Sequence, residues 1–137
     1  MPINYLAIFV ATIVFYILGA IYYSVIEKQY ISAQETTKEK LLANPKWGGT
    51  IAPYIISFVF LLIMNIVFAN LLSLLTPANL SVSTGAWLGF LIWLGFVLPT
   101  ITIFNAYENK TKTLTVINGA YFLVGLVISG IILAVIR

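Results

Sequence analysis

The chain contains no cysteine and no histidine. Disulfides and thiolate chemistry are therefore closed to it, and the usual metal, haem and thiol sites lose their main ligands. Nucleophilic catalysis of the His- and Cys-based kinds goes with them. Charge is scarce too. Seven basic and four acidic residues make 8% of 137 residues, where a soluble domain has roughly a quarter. No carboxylate lies deep in an apolar run, so the intramembrane ionisable group that marks an ion-coupled pump is missing. A proton-coupled multidrug exporter of the small four-span kind would need such a carboxylate in its first span. The small basic excess reads as membrane topology, so no nucleic-acid partner is expected, and no metal or other cofactor.

What is present is apolar. The sequence is 61% hydrophobic, with a mean hydropathy of +1.05. Four long runs, 3–26, 51–75, 82–104 and 114–136, carry most of it. A bilayer core of roughly 30 Å is crossed by about 20 helical residues, and each run is that long. The expected fold is all-α: a polytopic membrane protein with four transmembrane helices in an up-down bundle. One membrane domain, 1–137, accounts for the chain. The first run has no preceding Lys or Arg and is too long for a signal-peptide core, so it is expected to be retained as a span.

Lysines set the expected orientation. The loop 27–50 carries Lys28, Lys38, Lys40 and Lys46, and the loop 105–113 carries Lys110 and Lys112. Only Arg137 stands on the other side, so both lysine loops are expected in the cytoplasm and both termini outside. In the first loop Ser32-Ala33-Gln34-Glu35 has the form of a capping box and Asn44-Pro45 that of a stop, so a short helix is expected over about 33–43. Thr76-Pro77-Ala78-Asn79 and Glu108-Asn109-Lys110-Thr111-Lys112 read as turns.

Within the spans, small residues let backbones approach and polar groups bond across helices. Gly85 and Gly89 are four apart, and Ile92 and Phe96 extend that face. Ala7 and Ala11, and Gly125 and Ser129, form similar pairs. Gly85, Gly89, Gly125 and Ser129 are the expected packing positions, chiefly within the chain but also between copies. Pro99 removes the helical bond to the Gly95 carbonyl and is expected to bend the third span. Trp93, near mid-span, is expected to pack rather than face water.

Polar residues recur on helical faces. Thr12, Tyr16, Gly19 and Tyr23 are spaced 4, 3 and 4; Asn118, Tyr121, Gly125 and Ser129 are spaced 3, 4 and 4. Tyr16, Tyr23, Ser57, Thr100, Asn105, Asn118 and Tyr121 all fall in the cytoplasmic half. An unpaired hydroxyl or amide in hydrocarbon costs several kcal/mol, so these groups should meet one another or water. Two readings stand side by side. One is a hydrogen-bond network that fixes helix register. The other is a polar cavity rimmed by Lys28, Lys46, Lys110 and Lys112, suited to an anionic head group or a small polar solute.

Certain short motifs add a resemblance. They are Asn4-Tyr5-Leu6-Ala7, Gly19-Ala20-Ile21-Tyr22-Tyr23-Ser24 with Lys28, and Leu88-Gly89-Phe90 before Trp93-Leu94-Gly95-Phe96. Ile117-Asn118, Tyr121, Leu123-Val124 and Gly130-Ile131-Ile132-Leu133-Ala134 follow in order. Together they resemble the bacterial membrane family called domain of unknown function 1761, over nearly the whole chain. The family commonly has Trp then Tyr-Ser-Pro where this chain has Tyr22-Tyr23-Ser24-Val25, so its helix-breaking proline is missing here. The resemblance implies a four-span fold in the bacterial cell (inner) membrane and brings no activity with it. It directs attention to Asn4, Gly19, Tyr23, Ser24, Trp93, Asn118 and Tyr121.

The expectation is a small, self-associating membrane protein without enzymatic activity. Membrane lipids and further copies of the chain are its expected partners, and lipid binding or solute transport its expected role. A ligand-free assembly protein is the first alternative. An oligomeric enzyme acting on a lipidic substrate is the second, with only Tyr and Asn in its spans to serve as catalysts.

Overall fold

The computed structural model describes residues 3–37, 39, 40 and 51–136. Lys38 and Lys46 lie outside the described residues. The chain is an all-helical, multi-pass membrane protein with four helices long and apolar enough to cross a bilayer. Its elements are α1 (Tyr5–Val25), α2 (Glu27–Ala33), α3 (Ala52–Ser73), α4 (Val82–Ile92), a π-turn (Trp93–Val97), α5 (Leu98–Tyr107) and α6 (Lys112–Val135). The third span is α4, the π-turn and α5 in one continuous run.

Side chains start three of these helices. The Asn4 side chain accepts from the amides of Leu6 and Ala7, at 3.0 and 3.2 Å. Ser81 and Thr111 accept from Thr84 and Leu114, at 3.2 and 3.1 Å. Each satisfies amides that the first helical turn leaves without partners. The Thr111 hydroxyl also donates to the Ala33 carbonyl at 2.6 Å, tying the end of α2 to the start of α6. Asn109 closes α5 with a positive φ of 57°, and the Lys110 amide returns to the Asn105 carbonyl at 2.8 Å.

The first loop differs from expectation. Ser32 and Ala33 end α2 rather than begin a helix, and Glu35 turns the chain with a φ of 57°. The capping-box pattern is thus placed at a helix end, because α2 already occupies the residues before it. Of the rest of the expected 33–43 helix, 34–37 are not helical, Glu39 and Lys40 are helical, and 38 and 41–43 lie outside the described residues. Although proline is absent after Ser24, α1 stops at Val25. Ile26 leaves helical geometry (φ −106°, ψ 23°), and α2 starts at Glu27.

Helix α6 is the centre of the bundle. It contacts α1, α2 and α3 on one side and α4 and α5 on the other, while α1 also packs on α3. The contact with α4 is backbone on backbone. A Cβ at Gly85 would run into the Gly130 carbonyl, and one at Gly130 into the Gly85 carbonyl. Gly89 sits equally close to the Leu126 carbonyl. On the other side of α6, Gly125 makes room for the buried ring of Phe15. Such small-residue contacts take the place of the hydrophobic drive that lipid cannot supply.

Proline acts at Pro99 by widening the helix. The preceding turn is a π-turn, with the Leu98 amide bonded to the Trp93 carbonyl five residues back. A proline ring crowds the carbonyl four residues before it, here that of Gly95, and a wider turn relieves this. The extra residue rotates everything beyond it. Phe96, expected to extend the Gly85–Gly89–Ile92 face, is 74% exposed, and Val97 packs against the core instead. Trp93 packs as expected and donates its indole N–H to the Gly119 carbonyl of α6 at 2.8 Å.

Among the described residues three polar side chains lie wholly inside: Thr12, Asn65 and Ser129. Asn65 Nδ2 donates to Thr12 Oγ1 at 3.3 Å and to the Leu61 carbonyl at 3.2 Å. Asn65 Oδ1 and Ser129 Oγ meet no hydrogen-bond partner among the described residues. A cross-helix bond in a membrane averages about 0.6 kcal/mol, and removing an unpaired buried oxygen offsets its loss. Asn65→Leu is therefore expected to shift stability by less than about 1 kcal/mol in detergent unfolding. A drop above roughly 2 kcal/mol would show that Asn65 Oδ1 is satisfied after all.

Candidate functional site

At the end of the bundle that carries α2, the first and last spans meet through tyrosines. Tyr23 of α1 donates its hydroxyl to Asn118 Oδ1 of α6 at 2.6 Å. Tyr22 donates to the Ile117 carbonyl and Tyr121 to the Phe15 carbonyl, both at 2.9 Å. Three long reaches thus join α1 to α6 with each phenol proton placed on a defined acceptor. The rings then pack on one another. Tyr23 lies 4.7 Å from Tyr30 and 5.4 Å from Tyr121, centroid to centroid, and Tyr22 stacks on Tyr121 at 6.0 Å. Contacts of this kind add about 0.5–1.5 kcal/mol each beyond burial.

Beside this cluster runs a groove of about 480 Å³, within the range of small-ligand sites. Helix α1 lines it with Tyr16, Gly19, Tyr23 and Ser24, and α2 adds Glu27 and Tyr30. Tyr54, Ser57 and Leu61 form the α3 wall, and Tyr121 the α6 wall. Its α3 wall faces outward at Tyr54, which is 66% exposed. Gly19 sets the width. A methyl group there would meet the Tyr121 hydroxyl at 2.6 Å, so the ring lies against bare backbone.

Of the residues expected at a polar cavity, Tyr16, Tyr23, Ser57 and Tyr121 line the groove. Asn118 stands behind it as the acceptor that holds Tyr23. The other two lie elsewhere. Thr100, exposed, donates back to the Phe96 carbonyl of its own helix. Asn105 donates to Thr115 Oγ1 at 2.9 Å and braces the α5–α6 turn. The third span packs on the far side of α6, so neither reaches the α1–α3 groove. Of the proposed rim, Lys28, Lys110 and Lys112 are exposed and do not line the groove, and Lys46 lies outside the described residues. The packing positions Gly85, Gly89, Gly125 and Ser129 all sit in helix contacts inside this chain or in its core.

Four polar lining residues were not anticipated as cavity residues: Ser24, Glu27, Tyr30 and Tyr54. One signal could have found Tyr30. Tyr16, Tyr23 and Tyr30 are seven apart, two helical turns each, and a face carried past the span end would have included it. Tyr30 is half-buried in α2, and burial pushes its phenol above the ordinary 10.0. The neutral phenol is favoured in the fold, so this support is complete below the ordinary pKa and lost as pH rises through the raised one. Tyrosinate absorbance of the parent protein and Tyr30→Phe should accordingly coincide up to pH 10.0 and part only above it. A difference appearing below that pH would contradict the assignment.

The architecture is that of a small four-span membrane protein with a tyrosine-lined groove at one end. The family model for proteins of unknown function DUF1761 matches residues 6–134, and the chain belongs to that family. No curated protein and no solved structure matches the chain.

Proposed function

We propose that this membrane protein holds a lipid-like amphiphile in the groove between α1, α2, α3 and α6, with the head group at the α2 end. One observation carries the reading. A groove of about 480 Å³ is lined in part by Tyr23 and Tyr121, whose hydroxyls are fixed across the α1–α6 contact, so that side of its wall is set before any ligand arrives. Its outward wall at Tyr54 supports entry from the bilayer side rather than through a central pore. The lysine bias of the loops supports a cytoplasmic groove mouth. The role is one of binding. The lining offers phenols, serine hydroxyls and a single carboxylate, with no thiol or imidazole to serve as nucleophile or base. Self-association, expected in part from the glycine faces, loses that support because Gly85, Gly89 and Gly125 make contacts within one chain.

The test uses nanodiscs and lipids with a diazirine in the acyl chain, bearing either phosphatidylcholine or phosphatidylglycerol heads. Cross-links mapped by peptide mass spectrometry should concentrate on the groove stretches 16–31 and 54–61. The outward residues Ile103 and Phe104 of α5 serve as the lipid-facing reference. Enrichment with either head group supports the reading. Labelling of the groove no denser than that of α5 would reject it.

A further inference from the structure

The described wall of the groove is rich in aromatic rings and carries no cationic donor. Tyr23 uses its hydroxyl proton on Asn118 and Tyr121 on the Phe15 carbonyl. Ser24 uses its own on the Ala20 carbonyl at 2.6 Å. Each can offer a ligand only lone pairs. Five tyrosine rings, at 16, 23, 30, 54 and 121, surround the space, and the one ionisable side chain with a formal charge along the wall is Glu27. Among the described residues no lysine or arginine lines it. An anionic head group is held best by charge-assisted N–H donors, and no described lining residue supplies one. A cation is attracted by ring quadrupoles and by unshared oxygen pairs alike.

From this we infer that the occupant is a membrane amphiphile with a quaternary-ammonium head, held among Tyr23, Tyr30, Tyr54 and Tyr121. The inference rests on the groove reading above and adds the head chemistry. A quaternary ammonium carries no N–H, so it leaves no donor unsatisfied in a site built of ring faces and lone pairs. Tyrosine cages are the recurrent answer to such heads. The chain, not only the head, has a place. Tyr16 meets Phe58 edge-on at 5.6 Å, and Phe9 meets Phe58 at 6.4 Å. This aromatic seam between α1 and α3 runs from the groove toward the opposite end of the bundle, along the direction an acyl chain would take. A free soluble cation would make no use of it.

The experiment compares the two diazirine lipids, identical but for their heads, in nanodiscs of phosphatidylglycerol. Groove labelling by the phosphatidylcholine probe should exceed that by the phosphatidylglycerol probe by about 5-fold or more, the gain expected of a desolvated cation–π site. Tyr54 is 66% exposed, so its replacement leaves the fold intact. Tyr54→Leu should bring the two probes level, and Tyr54→Phe should keep the preference because the ring face remains. Equal groove labelling by both heads would overturn the cationic inference while the groove reading stood. Displacement of the probe by millimolar choline would overturn the amphiphile in favour of a soluble cation. Absence of groove enrichment with either probe would instead defeat the groove reading on which the inference depends.

Discussion

Replacing Gly85 by alanine is expected to prise the third span from α6 and cost about 3 kcal/mol, at the upper end of overpacking losses. The added methyl would have to occupy the position of the Gly130 carbonyl, and Ala134 crowds it from the next turn. A flexible side chain could yield, but a carbonyl inside a helix cannot move without its helix. The whole α4–α6 contact must therefore open. Beyond that contact span 3 is tied to α6 by the Trp93 bond to the Gly119 carbonyl and the Asn105 bond to Thr115. Only 6% of its most apolar window is buried within the chain, against 39% for α6. Gly130→Ala should cost about as much, since its methyl would meet the Gly85 carbonyl in return. The two losses should not add. Once one methyl has separated the helices, the second fits the gap, and the double variant should fall short of the sum by about 1–2 kcal/mol. Gly95→Ala supplies the contrast. No atom lies within 4 Å of its added methyl, and alanine favours helix by about 1 kcal/mol over glycine, so no loss is expected. Detergent unfolding monitored by circular dichroism reads all four variants. A Gly85→Ala protein as stable as its parent would refute the backbone contact.

These glycines also mark how far the sequence could be read. The four-residue step from Gly85 to Gly89 announced a close approach, yet spacing alone could not say which helix approached. The partner is the stretch around Leu126 and Gly130, each one residue past Gly125 and Ser129 and so rotated by about 100° from the face of Asn118, Tyr121, Gly125 and Ser129. Helix α6 uses both sides, and a single-face reading captures only one. The tyrosine faces were legible for the same reason. Tyr16 and Tyr23 on α1, and Asn118 and Tyr121 on α6, repeat at helical spacing, and the fold joins them. Azimuth in the third span was not legible. The π-turn at Trp93–Val97 inserts a residue, and each position after it is rotated by roughly 100° from where an unbroken helical period would put it. Thr100 and Asn105 lie beyond that turn and are grouped with the cavity by depth alone, which does not tell which side of α6 the third span takes. The proline was visible in the sequence, whereas the form of its relief, a wide turn, depends on how α4 and α5 meet α6. Tyr30 and Glu27 were missed at a different boundary. The helical face was ended where the apolar run ended, although α2 takes the chain onward along the groove.

Gly19→Ala is expected to close the groove while leaving the bundle folded. The new methyl would displace the Tyr121 hydroxyl, which lies 2.6 Å from its position, and break the bond to the Phe15 carbonyl. The ring has nowhere to retreat, because Phe15, Phe122, Tyr22 and Tyr23 back it at 5.1–6.0 Å. It can only swing toward the open side, into the space a ligand would fill. Groove cross-linking should fall by about tenfold, which corresponds to roughly 1.4 kcal/mol of lost affinity. The stability loss should stay near 1–2 kcal/mol, since a phenol tip yields more readily than a helix backbone. Tyr121→Phe separates width from bonding. It lacks the hydroxyl that the Gly19→Ala methyl would strike, although Cζ still lies 2.8 Å from that methyl, so the double variant Gly19→Ala with Tyr121→Phe should recover part of the binding lost by Gly19→Ala alone. Recovery of this kind would mean that Gly19 acts on the site through Tyr121. Unchanged binding in the single variant would mean that the groove beside Tyr121 holds nothing.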